Sequence, residues 1–161
     1  MALRSRNKMN RILTILILIA LPLVTNGQEI DTTLLSSISK SFGLNKSVNI
    51  EFRYYSHHQF EDPINLQNLN TIILFLKKNE NLKIELRCHS DCQGTIDYNL
   101  KLTQRQAENI KTWLVTNGTI DQARIRPIGK GGEFPIQECL ECKCEENKRR
   151  INRRVEILTI E

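Results

Sequence analysis

The chain of 161 residues carries 23 basic and 18 acidic side chains, a formal charge of +5, and five cysteines. That length suits one ordinary domain. The first 27 residues hold four of the basic side chains and none of the acidic ones, so the remaining 134 carry a balance of +1. The basic excess therefore belongs to the leader, and no nucleic-acid partner is expected.

Arg4, Arg6, Lys8 and Arg11 precede the apolar run Ile12 to Val24, and Thr25-Asn26-Gly27 offers small residues for cleavage. This is the layout of a secretory signal peptide, and residues 1–27 are read as one. The run falls short of the ~20 apolar residues a spanning helix needs, so no transmembrane segment is expected after cleavage. No cysteine follows it, so no lipid anchor is expected either. Export places Cys88, Cys92, Cys139, Cys142 and Cys144 in an oxidising compartment, where disulfides are the default. Five is odd, and spacing leaves the connectivity open: a bridge within 139–144, one joining Cys88 to Cys92, or cross-links between the two groups. In residues 28–47, Leu34, Leu35, Ile38 and Phe42 share one helical face, with Asp31 as N-cap and Gly43 as a stop. This segment is a short helix packed on the domain or a linker.

The domain itself is placed at residues 48–161. Val48, Ile50, Phe52 and Tyr54 alternate with Asn49, Glu51 and Arg53, which predicts a strand. A polar loop with His57 and His58 follows. Asp62-Pro63 is a strong helix start, because proline gives up an N–H that the first turn leaves unpaired. Leu69, Ile72, Ile73 and Leu76 then form a buried stripe ending near Lys77-Lys78. Leu82, Ile84, Leu86 and Cys88 alternate with Lys83, Glu85, Arg87 and His89, the period of a strand with one buried face. Ser90, Asp91, Gln93, Gly94 and Asp97 make a polar loop. Thr103 stands three residues before Gln106, a capping box that predicts a helix start there. Ala107, Ile110 and Leu114 carry the helix to Asn117-Gly118.

Arg124 to Ile128 reads as a strand, and Pro127 places it at a sheet edge. Gly129, Gly131, Gly132 and Pro135 mark a loop before the segment ECLECKC. Residues 145–154 are highly charged, with Lys148-Arg149-Arg150 read as a wet surface run. Arg154 to Ile160 is a last strand, with Val155, Ile157 and Thr159 on one face. The order is β-α-β-α-β-β, and right-handed crossovers put both helices on one face of a mixed sheet. The fold class is thus a two-layer α/β sandwich.

A strand that delivers an acid and several donors to a helix start makes a small polar site. Cys88, His89 and Asp91 resemble a nucleophile, base and orienter, but strand neighbours point to opposite faces, so catalysis is not expected. Cys88, Cys92, Cys139 and Cys142 would suit tetrahedral zinc, with His57 and His58 as further ligands. Irregular spacing and export favour oxidation instead, so neither metal nor cofactor is expected.

The stretch HSDCQGTIDYNLKLTQRQA resembles the signature of the OmpA-like C-terminal domain, the peptidoglycan-binding module of Pal and MotB. His89-Ser90-Asp91, Gly94, Tyr98-Asn99, Leu102-Thr103 and Ala107 fall in the family's register. Gly129-Lys130-Gly131 with Pro135 is similar to its Gly-Pro turn, and Asn152-Arg153-Arg154-Val155-Glu156 to its NRRVE strand. The resemblance covers residues 48–161 and implies an OmpA-C-like fold. It implies that Asp91 holds the diaminopimelate of the wall peptide, supported by Ser90, Asn99 and Arg153. The family's arginine, which takes the ligand's carboxylate, is replaced here by Gln106, which donates but carries no charge. Arg105 is one helical step, ~100°, away from that position.

The resemblance therefore implies a non-catalytic periplasmic protein of a Gram-negative envelope that binds peptidoglycan noncovalently. With no β-barrel or lipid anchor encoded, association with the outer membrane would come through an envelope partner protein. The alternative is a periplasmic scaffold of the same fold that has lost wall binding through Gln106.

Overall fold

The computed structural model describes residues 31–41, 47–53 and 60–160. The leader, Phe42, Gly43, Tyr54, His57 and His58 lie outside them. Helix α1 spans Thr32–Ser41 and strand β1 Ser47–Glu51; helix α2 spans Pro63–Lys78 and strand β2 Lys83–His89. Helix α3 runs from Ile96 to Gly118, and β3 covers Ile125–Gly129 after a 3-10 turn at Gln122–Arg124. A second 3-10 turn at Leu140–Cys142 precedes the short helix α4, Glu146–Asn152, and β4 closes the chain at Arg154–Ile160.

The sheet order is β1-β4-β2-β3. Strand β4 runs antiparallel to both β1 and β2, and β2 pairs parallel with β3, so the sheet is mixed as expected. Strand β3 is an edge, where the missing N–H of Pro127 costs no ladder bond. One face of the sheet contributes Ile50, Ile84, Leu86, Cys88, Ile125, Val155 and Ile157 to the core. Against it pack Leu69, Ile72, Phe75 and Leu76 from α2, and Ala107, Ile110 and Leu114 from α3. Sharing one cluster puts both helices on the same face, giving two layers. Each large aliphatic side chain buried in that cluster contributes about 1.5–3 kcal/mol relative to exposure.

Local signals start the helices. The Asp62 side chain accepts from the N–H groups of Ile64 and Asn65 at 2.9 and 3.2 Å, with Pro63 in the first position. Asp31 caps α1 by accepting from Thr33 and Leu34, each at 2.9 Å. Its own N–H donates to Thr71 on α2 at 3.1 Å, and Leu34 joins the core, so this segment is a docked helix rather than a linker. Arg124 closes the far end of α2: its guanidinium donates to the carbonyls of Leu76, Asn79 and Leu82 at 2.7–2.9 Å.

The helix-free face departs from the simple alternation. Glu85 and His89, expected on a polar face, are both 3 % exposed. Glu85 sits between Arg87, which donates at 2.6 Å, and Arg126 of the neighbouring strand. Glu156 on β4 accepts from Arg154 at 2.7 Å and stands 3.4 Å from His89 Nε2, an ion-pair distance without a directed hydrogen bond. Burial of the Glu85 and Glu156 carboxylates is tolerated because each has an arginine partner on an adjacent strand or at the next position of its own face.

Four cysteines are joined as Cys92–Cys142 and Cys139–Cys144, and Cys88 is buried outside both bridges. The pairing thus combines a cross-link between the two groups with a local bridge.

His89 and the hydrogen bonds from Arg154 hold the Glu156 carboxyl down to about 2, against burial, which pushes it up. A folded value below the ordinary 4.5 means the ion favours folding above that pH, and the contribution fades as pH falls through about 2. Glu156→Gln should therefore lower stability at neutral pH and flatten the loss of stability between about pH 4.5 and 2, read from urea midpoints across that range. The two disulfides should also differ. Cys92–Cys142 closes a loop of 50 residues and Cys139–Cys144 one of 5. Chain entropy then assigns about 4 kcal/mol to the first and about 2 to the second. Paired Cys→Ser variants compared by non-reducing denaturation should rank in that order.

Candidate functional site

The end of β2 is held from two sides. Beyond the last ladder pair, Lys130 N–H donates to Cys88 O at 2.8 Å and Ser90 N–H to Gly131 O at 2.9 Å. These bonds continue the β2–β3 pairing into the turn 129–132. Helix α3 forms the other wall. Its N-cap is Thr95, whose hydroxyl accepts from Tyr98 N–H at 3.2 Å, and Asp97 sits in the first turn, where a carboxylate complements the helix dipole.

The helix therefore begins at Ile96, and Thr103 is two turns inside it rather than a cap. The reason is tertiary: the Thr103 hydroxyl donates to Asn99 O at 2.8 Å and accepts from Gly131 N–H at 3.0 Å, fastening the helix to the turn. Gln104 Oε1 accepts from Gly129 N–H at 2.7 Å beside it. Contact here is close enough that only glycine fits. A Cβ on Gly129 would collide with the backbone of Gln104, and one on Gly132 with the Asp91 carbonyl.

Asp91 lies at this junction, 7 % exposed. Its Oδ1 accepts from Gln93 N–H at 3.0 Å, a local Asx turn, and its carbonyl accepts from Asn99 Nδ2 at 3.4 Å. Oδ2 accepts from Arg153 Nη1 at 2.5 Å, across 62 residues of sequence. Arg153 is the residue that ends α4, and its second arm donates to Glu146 at the start of that helix. Glu146 also accepts from Arg149 Nε at 2.9 Å. The result is a chain of alternating charge, Asp91–Arg153–Glu146–Arg149. Hydrogen bonds from Arg153 and then Arg149 lower the Glu146 pKa. Burial works against the Arg153 charge, but its bonds to Glu146 and Asp91 outweigh that and raise its pKa.

The same corner is cross-linked. Cys92, next to Asp91, is bonded to Cys142 in the segment leading into α4. Asn152, 1 % exposed, anchors the rest of that segment. Its Oδ1 accepts from the N–H groups of Ile136 and Gln137 at 2.9 Å, and its Nδ2 donates to Gln137 O at 2.8 Å. Arg154 takes the opposite side of the strand and donates to Phe134 O and Glu156, so only Arg153 faces Asp91.

Of the expected site residues, Ser90, Asp91, Asn99 and Arg153 come together. Ser90 is 9 % exposed, with an Oγ that has no hydrogen-bond partner among the described residues. Gln106 lies two turns along α3 from Asn99, half-buried, its Oε1 also without a hydrogen-bond partner among the described residues. Sequence reasoning missed Glu146, although Glu146, Arg149 and Arg153 stand at helical i, i+3, i+7 spacing. It also took Arg149 for a wet charge; Arg149 is half-buried, and its Nη1 donates to Cys144 O at 2.8 Å. The four-thiolate set is not present, since three of its members are in disulfides and Cys88 is in the core. Among the described residues no group of three or more His, Cys, Asp or Glu is arranged for a metal, and no helix is long and apolar enough to cross a membrane.

Comparison with known proteins agrees with this architecture. Over 91 residues the chain is 31 % identical to a peptidoglycan-associated lipoprotein of Buchnera aphidicola, covering 56 % of this chain and 51 % of that one. It is 45 % identical over 69 residues to outer membrane protein A of Bordetella avium, covering 43 % of this chain and 33 % of the relative. The chain thus spans about half the length of the first relative or less of the second. The crystal structure of the peptidoglycan-associated lipoprotein from Burkholderia pseudomallei superposes with a TM-score of 0.54 at 24 % identity, over 73 % of this chain and 92 % of that one, which shows a shared fold. Residues 60–151, more than half of the chain, match the OmpA family, and the protein belongs to that family.

Proposed function

We propose that this domain holds peptidoglycan noncovalently, gripping the diaminopimelate of a wall peptide at the end of β2. The observation that carries the reading is the Asp91–Arg153 pair at the junction of β2, α3 and α4. A zwitterionic amino-acid end brings one ammonium and one carboxylate. The ammonium takes the place of the Arg153 arm on Asp91, and the released guanidinium takes the ligand's carboxylate in a two-pronged bond. Every charge is paired before and after the exchange, so neither state leaves a desolvated ion alone. Ser90 Oγ and Asn99 line the same corner and supply neutral hydrogen bonds. No bond is made or broken in this reading, and no cofactor is involved.

Relatives named as peptidoglycan-associated lipoproteins and outer membrane proteins support a place in a Gram-negative envelope. Residues 1–27 are proposed to direct export to the periplasm, residues 28–47 to carry the docked helix α1, and residues 48–161 to form the binding module. An envelope partner protein would attach it to the outer membrane.

A scaffold without wall binding is the second reading, favoured by Gln106, which stands where the family carries an arginine and brings no charge. Sedimentation with isolated sacculi separates the two. The purified protein should pellet with sacculi, and Asp91→Ala should leave it in the supernatant, since the ligand's ammonium then loses its carboxylate partner and a charge-assisted hydrogen bond is about twice as strong as a neutral one. Wild-type protein that stays in the supernatant selects the scaffold reading, and recovery of pelleting in Gln106→Arg would then identify that side chain as the cause.

A further inference from the structure

The first two turns of α3 present apolar side chains to water instead of to the core. Ile96 is 61 %, Tyr98 55 % and Leu100 37 % exposed. Tyr98, Leu100, Lys101, Gln104 and Arg105 line an open groove of about 650 Å³ whose floor reaches Gly129 at the end of β3. That volume lies within the range of small-molecule sites. Arg105 is exposed and makes no hydrogen bond or ion pair among the described residues, whereas Lys101 is held by Asp97 at 2.8 Å. The groove and the Asp91 corner share their supports. Leu100 packs on Gly131, Tyr98 on Gly94 of the site loop, and Gly132 on the Asp91 carbonyl.

From this placement we infer that the groove is a second subsite, which takes the sugar-bearing part of a wall glycopeptide whose peptide is held at Asp91. The inference rests on the peptidoglycan reading above. A pyranose ring has one face of C–H bonds and a rim of hydroxyls. Tyr98 and Leu100 offer an apolar surface for the first, and the exposed Tyr98 phenol offers a polar partner for the second. The stem peptide beside the sugar carries free carboxylates, and Arg105 is an unspent cation with the fork geometry to bind one. Charge complementarity and the shared turn 129–132 thus select one occupant, an acidic glycopeptide running from the Asp91 corner across the outer face of α3.

Calorimetry on the purified protein with two probes tests this: the disaccharide-tetrapeptide N-acetylglucosaminyl-N-acetylmuramyl-tetrapeptide, and the same tetrapeptide without sugar. Wild type should bind the glycopeptide roughly tenfold more tightly than the bare peptide, a margin expected of the added contacts of a sugar ring with Tyr98 and Leu100. Tyr98→Ala should lose that margin while its affinity for the bare peptide stays unchanged, which also reports an intact fold, whereas Arg105→Ala should weaken both probes alike, since the carboxylate it takes belongs to the peptide. Equal binding of both probes by wild type, or a margin that survives in Tyr98→Ala, overturns the groove assignment and leaves the Asp91 reading standing. Binding of neither probe overturns both.

Discussion

Strand β2 is fixed from both sides along its whole length, and the position of every other functional element follows from that constraint. Antiparallel bonding to β4 sets its register from Lys83 to His89, and parallel bonding to β3 holds its other edge from Ile84 to Cys88. Where regular pairing stops, the 129–132 turn continues the bonding by two more hydrogen bonds. The residues that follow therefore leave the sheet in one direction only. Asp91 is placed by this continuation, with α3 on one side and the end of α4 on the other.

Around that point the chain assembles a corner from four distant segments with little apolar contact to hold it. Thr103, Gln104 and Asn99 fasten α3 to the turn and loop by single hydrogen bonds. Each such bond is worth only about 1 kcal/mol net, so covalent closure matters. Cys92–Cys142 removes the large loop entropy that separates the Asp91 loop from the α4 segment. The ion pair alone could not do that work: the Arg153 side chain is 28 % exposed, and partly exposed pairs are weakened by solvent and salt. The bridge holds the backbone, and the pair then chooses the side-chain geometry.

Much of the framework was legible in the sequence because it is written in local chemistry. Asp62-Pro63 caps α2, period-two alternation marks β2 and β4, and Pro127 marks the edge. The two-layer order followed from crossover handedness. The α3 start was misread because two S/T-x-x patterns stand eight residues apart, Thr95 and Thr103, and the first turns carry exposed apolar residues. Ile96, Tyr98 and Leu100 face water, so the helical period is invisible until Thr103. Asp91 and Arg153 were legible as a pair by resemblance alone; no local rule relates residues 62 apart. Helix α4 escaped because its charged run lacks an apolar stripe: its Glu146–Arg149–Arg153 face binds to the site by ionic contacts. The burial of Glu85 and His89 was equally hidden, since it depends on partners supplied by β3 and β4.

The thiol of Cys88, outside both disulfides, bears on how the molecule reaches this state. It sits only four residues from Cys92, inside the core on the strand that leads to the bridge. In an unfolded oxidised chain it is the nearest competitor for Cys92, since short loops close most readily. Once Cys88 is buried against the helices, thiol–disulfide exchange has no access to it. Correct oxidation is thus safest when the sheet and helices assemble first and the bridges form last, so a delay between synthesis and encounter with an oxidant favours the native pairing.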